Sequence, residues 1–299
     1  MKHAVLPVDK PEGISSAAVV RHVKKLENVL KAGHMGTLDP FATGLLLLGI
    51  NKGTKISRFF LNGSKRYSAR IHLGVETDTL DKTGAVIREK ALPEPMDGQT
   101  IRNAVESFKG RAQQIPPAYS ALKHKGKPLY RYAREGRTVE KPPRDIEIFD
   151  IKVCRIDLPY IDIDVSCSGG TYIRTLAFDI GKKLGCTAHL NRLRRTGACG
   201  FSISEAVDFK LVEQRDVSGL EKHSTPLVNA LEFLPSITAD PHMETKVKHG
   251  QRLSLKDGMP EPSHPVSPVR IIDQAGGLCA VVEFDKSSGS FNYCCVFSD

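Results

Sequence analysis

At 299 residues, with 40% apolar and 26% charged side chains, the chain has an ordinary globular composition and room for one large domain plus a small one. Its longest apolar run, around residues 45–48, is too short to cross a bilayer, and Pro7 and Asp9 interrupt the N-terminus before a signal-peptide core forms, so a cytoplasmic location is expected. Lys and Arg number 43 against 34 Asp and Glu, a surplus of +9 that favours a polyanionic partner, while seven cysteines with no C-x-x-C pair argue against a metal site.

Residues 4–8 read as a strand closed by the turn Asp9-Lys10-Pro11-Glu12-Gly13. Ser15 or Ser16 caps a helix that carries Val19, Val20, Val23 and Leu26. Residues 33–44 form a glycine-rich loop around Pro40, and 45–50 a buried strand. A strand over 67–74 and a polar loop over 76–84 follow. Residues 100–108 predict a helix stopped by Gly110, and Pro116 and Pro117 keep 113–119 extended or turned. Segments 147–156 and 160–167 make a hairpin. In the second, Ile161, Ile163, Val165 and Cys167 alternate with Asp162, Asp164 and Ser166. Ser168-Gly169-Gly170 then opens a helix from Thr171 to about Leu184, ended by Gly185.

A boundary is expected within 234–241. Beyond it, apolar pieces at 269–272 and 278–284 and a Pro/Ser-rich loop over 260–268 describe a small β-domain. Hairpins mixed with separate helices indicate an α+β class, divided into 1–234 and 240–299, with no internal repeat.

Chemistry concentrates in 33–44. Asp39 precedes a proline, which keeps it out of helical geometry, and the flanking glycines permit close backbone approach. A carboxylate on such a loop serves as nucleophile or base, or else only closes an Asx-type turn. Unaided, Tyr67 reads first as a core tyrosine of its strand, and Arg174 as an exposed helix arginine. Tyr172 and Leu193 fit simple core packing, His34 a solvated loop side chain, and Lys10 a surface charge before a turn. The segment 123–141 interleaves Lys and Arg with Tyr130 and Tyr132. That pattern suits an RNA backbone and also a solvated charged helix.

The run Gly33-His34-Met35-Gly36-Thr37-Leu38-Asp39-Pro40-Phe41-Ala42-Thr43-Gly44 resembles the catalytic motif of the TruB-type pseudouridine synthases. Four further segments match that family in order. They are Asp9-Lys10-Pro11-Glu12-Gly13; Lys65-Arg66-Tyr67 with Gly74, Thr77-Asp78-Thr79, Asp81 and Gly84; Gln114-Ile115-Pro116-Pro117 with Tyr119-Ser120-Ala121 and Lys127; and Cys167-Ser168, Gly170-Thr171-Tyr172-Ile173-Arg174-Thr175 with His189 and Leu193-Arg194-Arg195. Motifs in series over roughly 4–200 are far more specific than any one of them.

The resemblance implies a pseudouridine synthase-like fold: a mixed, largely antiparallel sheet with flanking helices, followed by a small PUA-like β-domain. It implies that Asp39 is the catalytic carboxylate and needs no metal or organic cofactor. Tyr67 would stack on the target base, and Arg174 would pair with the aspartate. Tyr172 and Leu193 would wall the pocket, His34 would lie beside the flipped nucleotide, and Lys10 would lie near the active-site loops. The implied activity is isomerisation of the T-loop uridine of tRNA, position 55, by a monomer bound to the T arm. Two rivals are a dyskerin-type subunit that needs guide-RNA partners and a non-catalytic RNA chaperone of the same fold. Short length with no long basic tails opposes the first, and the joint presence of Asp39, Tyr67 and Arg174 opposes the second.

Overall fold

The structure is a computed structural model, and it describes residues 1–120, 122–137, 139, 141–261 and 267–297. Ala121 of the motif at 114–121, the Lys127, Lys123 and Tyr130 side chains of the basic stretch, and the middle of the 260–268 loop lie outside the described residues.

The main sheet is built in chain order from β1 (Ala4–Lys10), β2 (Ala32–His34), β3 (Thr43–Ile50), β4 (Lys65–Leu73), β5 (Gly110–Gln114), β6 (Arg144–Asp157), β7 (Tyr160–Cys167), β8 (Ala188–Ala198) and β9 (Val207–Asp208). Their spatial order is β9-β1-β3-β8-β4-β7-β6-β5, with β2 paired to β3. Along this path only β9 with β1 and β8 with β3 run parallel. The other pairings are antiparallel, so the expected mixed, largely antiparallel sheet is present.

Three helices flank the sheet at the places that matter for the site: α1 (Ser16–Val23), α2 (Gly98–Glu106) and α3 (Ile173–Lys183). Ser15 caps α1 by accepting from the Ala18 amide. In α3, Ile173, Leu176, Ala177 and Ile180 are buried. This i, i+3, i+4, i+7 spacing lays one face on the sheet. Gly185 follows α3 with φ +79°, a left-handed turn where a side chain would be strained.

β8 is the centre of the sheet, between β3 and β4. Arg195 faces Gly44 across one edge and Tyr67 across the other. Sequence patterning had not read 188–198 as a strand, because Asn191, Arg192, Arg194 and Arg195 break the apolar alternation. β2 also went unread inside the glycine-rich loop, as did β5 ahead of the Pro116-Pro117 pair.

Strands Ser236–Thr238, Val269–Ile272, Leu278–Asp285 and Ser290–Val296 form a second sheet in that order, with no pairing between its two edge strands among the described residues. It starts at Ser236, inside the interval 234–241. Ala280 and Val282 face a local core with Met243, Val247, Ile271 and Phe291. Val281 and Cys295 face the other way, onto Val5, Leu45, Leu47, Phe60 and Leu231 of the main body. The alternation of one strand thus glues the small sheet to the back of the large one. Arg270, almost fully buried, fixes the junction by donating from Nε to the Leu234 carbonyl at 2.9 Å and from its terminal nitrogen to that of Val228 at 2.7 Å.

Candidate active site

The loop between β2 and β3 carries Asp39, and nearly every residue of it is tied down. The Met35 amide donates to the Leu47 carbonyl at 2.8 Å. The buried Ser16 hydroxyl bridges Leu38, donating to its carbonyl at 2.9 Å and accepting from its amide at 2.8 Å. The Gly13 amide donates to the Pro40 carbonyl at 2.8 Å, and Ala42 donates back to Asp39 at 3.1 Å. Gly44 closes the loop with φ +101°, and a Cβ there would meet the Arg195 carbonyl oxygen at 2.3 Å, so only glycine fits.

Arg174, in the first turn of α3, holds the carboxylate. Its Nε lies 3.0 Å from Asp39 Oδ2. One terminal nitrogen donates to the Thr79 carbonyl at 2.8 Å, the other to that of Tyr119 at 2.7 Å. Asp81 Oδ2 sits 3.5 Å from the first of these nitrogens. Asp81 is itself oriented by the Thr79 hydroxyl and the Thr83 amide, both at 2.9 Å. All three guanidinium nitrogens are engaged, so the carboxylate faces a cation with a fixed orientation. Gln114 braces the start of α3, exchanging hydrogen bonds with the Tyr172 amide at 2.8 Å and carbonyl at 3.0 Å.

Asp39 lines an open cleft of about 510 Å³ together with Tyr67, Tyr172, Arg174 and Leu193. Burial pushes its carboxyl above the usual carboxylate range; the Arg174 guanidinium opposes this, Asp81 adds to it, and Lys10 opposes it. The side chain keeps 36% exposure through the cleft mouth, so solvent and Arg174 work against the upward push of burial. Tyr67 is buried beside it. Burial raises its phenol above the ordinary range, and the Arg195 guanidinium counteracts, so the hydroxyl stays protonated. Tyr172 is raised by burial in the same way.

Two sequence candidates are not brought into this cleft. Lys10 is fully buried beneath the Asp39 loop rather than a surface charge, and its ammonium donates to the carbonyls of Pro11 and Ile14 at 2.8 Å and of Pro40 at 3.2 Å. Burial lowers its pKa to about 8. His34 sits on β2, opposite Leu48, with a buried Nδ1 that has no partner among the described residues. Burial, and then Arg195, push its pKa down.

Lys65, Asp81, Gln114 and Arg195 belong to the motifs, and the sequence assigns none of them a role. Lys65 and Arg195 line the cleft, while Asp81 and Gln114 buttress Arg174 and Tyr172. For Lys65 and Arg195 the available signal was a basic residue within a strand that alternates with apolar ones.

A family model described as TruB family pseudouridylate synthase (N terminal domain) matches residues 24–173, and one described as tRNA pseudouridylate synthase B C-terminal domain matches residues 174–232. The chain belongs to the TruB family. This TruB-family chain is 38% identical over 286 residues to tRNA pseudouridine synthase B of Pasteurella multocida (strain Pm70), covering 94% of this chain and 91% of that one. It is 39% identical over 271 residues to the protein of the same name from Oceanobacillus iheyensis, covering 90% and 89%. Among solved structures, it superimposes on a chain of a Cbf5-Nop10-Gar1 complex with a TM-score of 0.76 at 26% identity, over 99% of this chain and 85% of that one. A chain of the archaeal box H/ACA sRNP Nop10-Cbf5 complex matches with a TM-score of 0.73 at 25% identity, over 99% and 86%. The second sheet therefore falls within the structural match.

Proposed function

We propose that this chain is a tRNA pseudouridine synthase that acts in the cytoplasm, as a monomer on the T arm of tRNA, and isomerises the T-loop uridine at position 55 with Asp39 as the catalytic carboxylate. The observation that carries the reading is the Asp39 carboxylate, held at 3.0 Å by an immobilised Arg174 in a cleft that Tyr67 also lines. A base flipped into this cleft meets the Tyr67 ring, with Leu193 and Tyr172 as walls. The reaction breaks the N1–C1′ bond, rotates the uracil, joins C5 to C1′, releases the C5 proton and leaves N1 protonated. Atoms and electrons balance within the substrate, so no redox partner enters. Asp39 serves either by attacking the substrate or by taking a proton from the ribose. The neutral Tyr67 hydroxyl acts as a proton donor or acceptor, not as a standing phenolate.

In this reading residues 1–234 carry the chemistry, and the PUA-like sheet that follows extends the RNA contact. The sequence relatives named tRNA pseudouridine synthase B, near 40% identity, favour it over a guide-dependent subunit, since the Cbf5 structures stand at 25–26%. The test is tritium release from C5-labelled uridine in unmodified tRNA transcript. The wild-type protein should turn over a T-arm stem-loop without protein or guide partners. Asp39→Asn should release none while binding tRNA within a few-fold of wild type, because affinity comes from many phosphate contacts. Pseudouridine formed by pure Asp39→Asn protein would sink the assignment.

A further inference from the structure

One side chain, Arg195 on β8, lines the cleft and ties down the backbone on both sides of Asp39. It is 2% exposed, although it is one of the largest polar side chains in the protein. Its Nε donates to the Leu45 carbonyl at 2.6 Å, and its terminal nitrogens to those of Gly36 at 3.1 Å and Thr37 at 3.4 Å. Tyr67 is the register partner of Arg195 on the neighbouring strand, and the same guanidinium draws its phenol pKa down against burial. Among the described residues no carboxylate comes within ion-pairing distance of it. A buried cation without a counter-charge is costly unless its donors are well used. Here they are used on the backbone on either side of Asp39, at Gly36 and Thr37 before it and Leu45 after it. The Arg195 backbone also receives Gly44, whose missing Cβ leaves room for its carbonyl oxygen. Both ends of the 36–44 segment are therefore fastened to one residue.

We propose that Arg195 is a positioning residue for the reaction: it sets the Asp39 loop and the Tyr67 ring in mutual register, so that carboxylate and stacking ring close on the same nucleotide. The inference rests on the pseudouridine synthase reading. Neighbouring geometry supports it. Across β8, Arg195 stands directly opposite Tyr67 on β4, and through its side chain it reaches two residues upstream of Asp39. A lysine keeps the charge but lacks the planar fork of donors that reaches three carbonyls.

The experiment measures single-turnover pseudouridine formation and tRNA affinity for wild type, Arg195→Lys and Arg195→Met, with melting curves for each. Arg195→Met should lose about 100-fold in rate, the scale of an ångström-sized misplacement, with affinity within a few-fold. Arg195→Lys should lose roughly 10-fold, the scale of one charge-assisted hydrogen bond, and decides the matter if the methionine variant does not fold. Tyr67→Phe should cost less in an Arg195→Lys background than alone, because the two side chains act as a unit. A wild-type rate in folded Arg195→Lys, or a rate loss matched by an equal loss of affinity, overturns the proposal. Strict additivity with Tyr67→Phe also overturns it. If the wild-type protein itself forms no pseudouridine, the functional reading fails instead, and the two failures are told apart by that control.

Discussion

Asp39 must be ionised to act as nucleophile or base, so the rate falls as pH drops through its pKa. Burial and Asp81 move that pKa up, while Arg174 and Lys10 move it down, with burial the largest effect. Arg174→Lys weakens the strongest downward pull, because a single ammonium replaces the oriented fork. The acid limb of the single-turnover pH profile should then shift toward neutrality. An unmoved limb would show that it reports some other group. Lys10 predicts an alkaline limb. Below about 8 its ammonium has three protons for three carbonyls; above that value it has two, and one tie to the Asp39 loop is lost. The rate should decline above pH 8 in the wild type, and that limb should be missing from Lys10→Met, whose rate is lower throughout. Tyr67 does not contribute there, since its burial moves it above the ordinary phenol range.

Among the elements, α1 matters less for its own stability than for what Ser16 does at its first turn. The Ser16 hydroxyl satisfies both backbone groups of Leu38, and the site is buried. Ser16→Ala leaves an amide and a carbonyl unpaired, at a cost of about 1–3 kcal/mol. Calorimetry should find a melting temperature lower by several degrees, at about 2–4 °C per kcal/mol for a chain of this order. The rate should fall as well, because Leu38 precedes the catalytic carboxylate. An unchanged melting temperature would mean that a water takes over both bonds. β8 shows a different economy. Its arginines interrupt the apolar pattern, yet Arg195 is buried and Arg194 pairs with Asp9 through two contacts at 2.6 and 3.1 Å. Both arginines run from the central strand to segments near the N-terminus that frame the site.

For the whole molecule, the net charge of +9 predicts steep salt dependence of tRNA binding, as phosphate-bound counterions are released. A flat plot of log affinity against log salt would remove that argument. The placement of the second sheet revises what truncation should do. As a separate module it would affect affinity alone. Instead Val281, Cys295 and Phe297 cover Val5, Leu45 and Leu47, and Lys52 and Lys55 donate to the carbonyls of Phe297 and Val296 at 3.0 and 2.7 Å. Leu45 and Leu47 belong to the strand that follows the catalytic loop. Ending the chain after Ala239 should therefore lower the melting temperature and the stem-loop rate together. A truncated protein with normal melting and a normal stem-loop rate would show that the cover is dispensable.

The sequence by itself determined those features whose signal is local. The alternation over 160–167 appears as β7 and the glycine at 185 ends α3, whereas Asp39, Tyr67 and Arg174, which the fold gathers into one cleft, stood out only through the resemblance to a family and not through their own spacing. Such signals arise from neighbours two to four residues apart, which a sequence displays directly. Tertiary structure alone decided the rest. Lys10 looked like a surface charge because the Pro40 carbonyl that helps bury it is 30 residues away. Arg195 looked like one more basic residue because the Leu45 carbonyl that accepts from it is 150 residues away. The back of β3 looked like an ordinary buried strand until residues near 281 and 295 were seen to cover it. A polar group is stable in the interior only when its partners surround it, and those partners come from remote strands whose pairing no local pattern records.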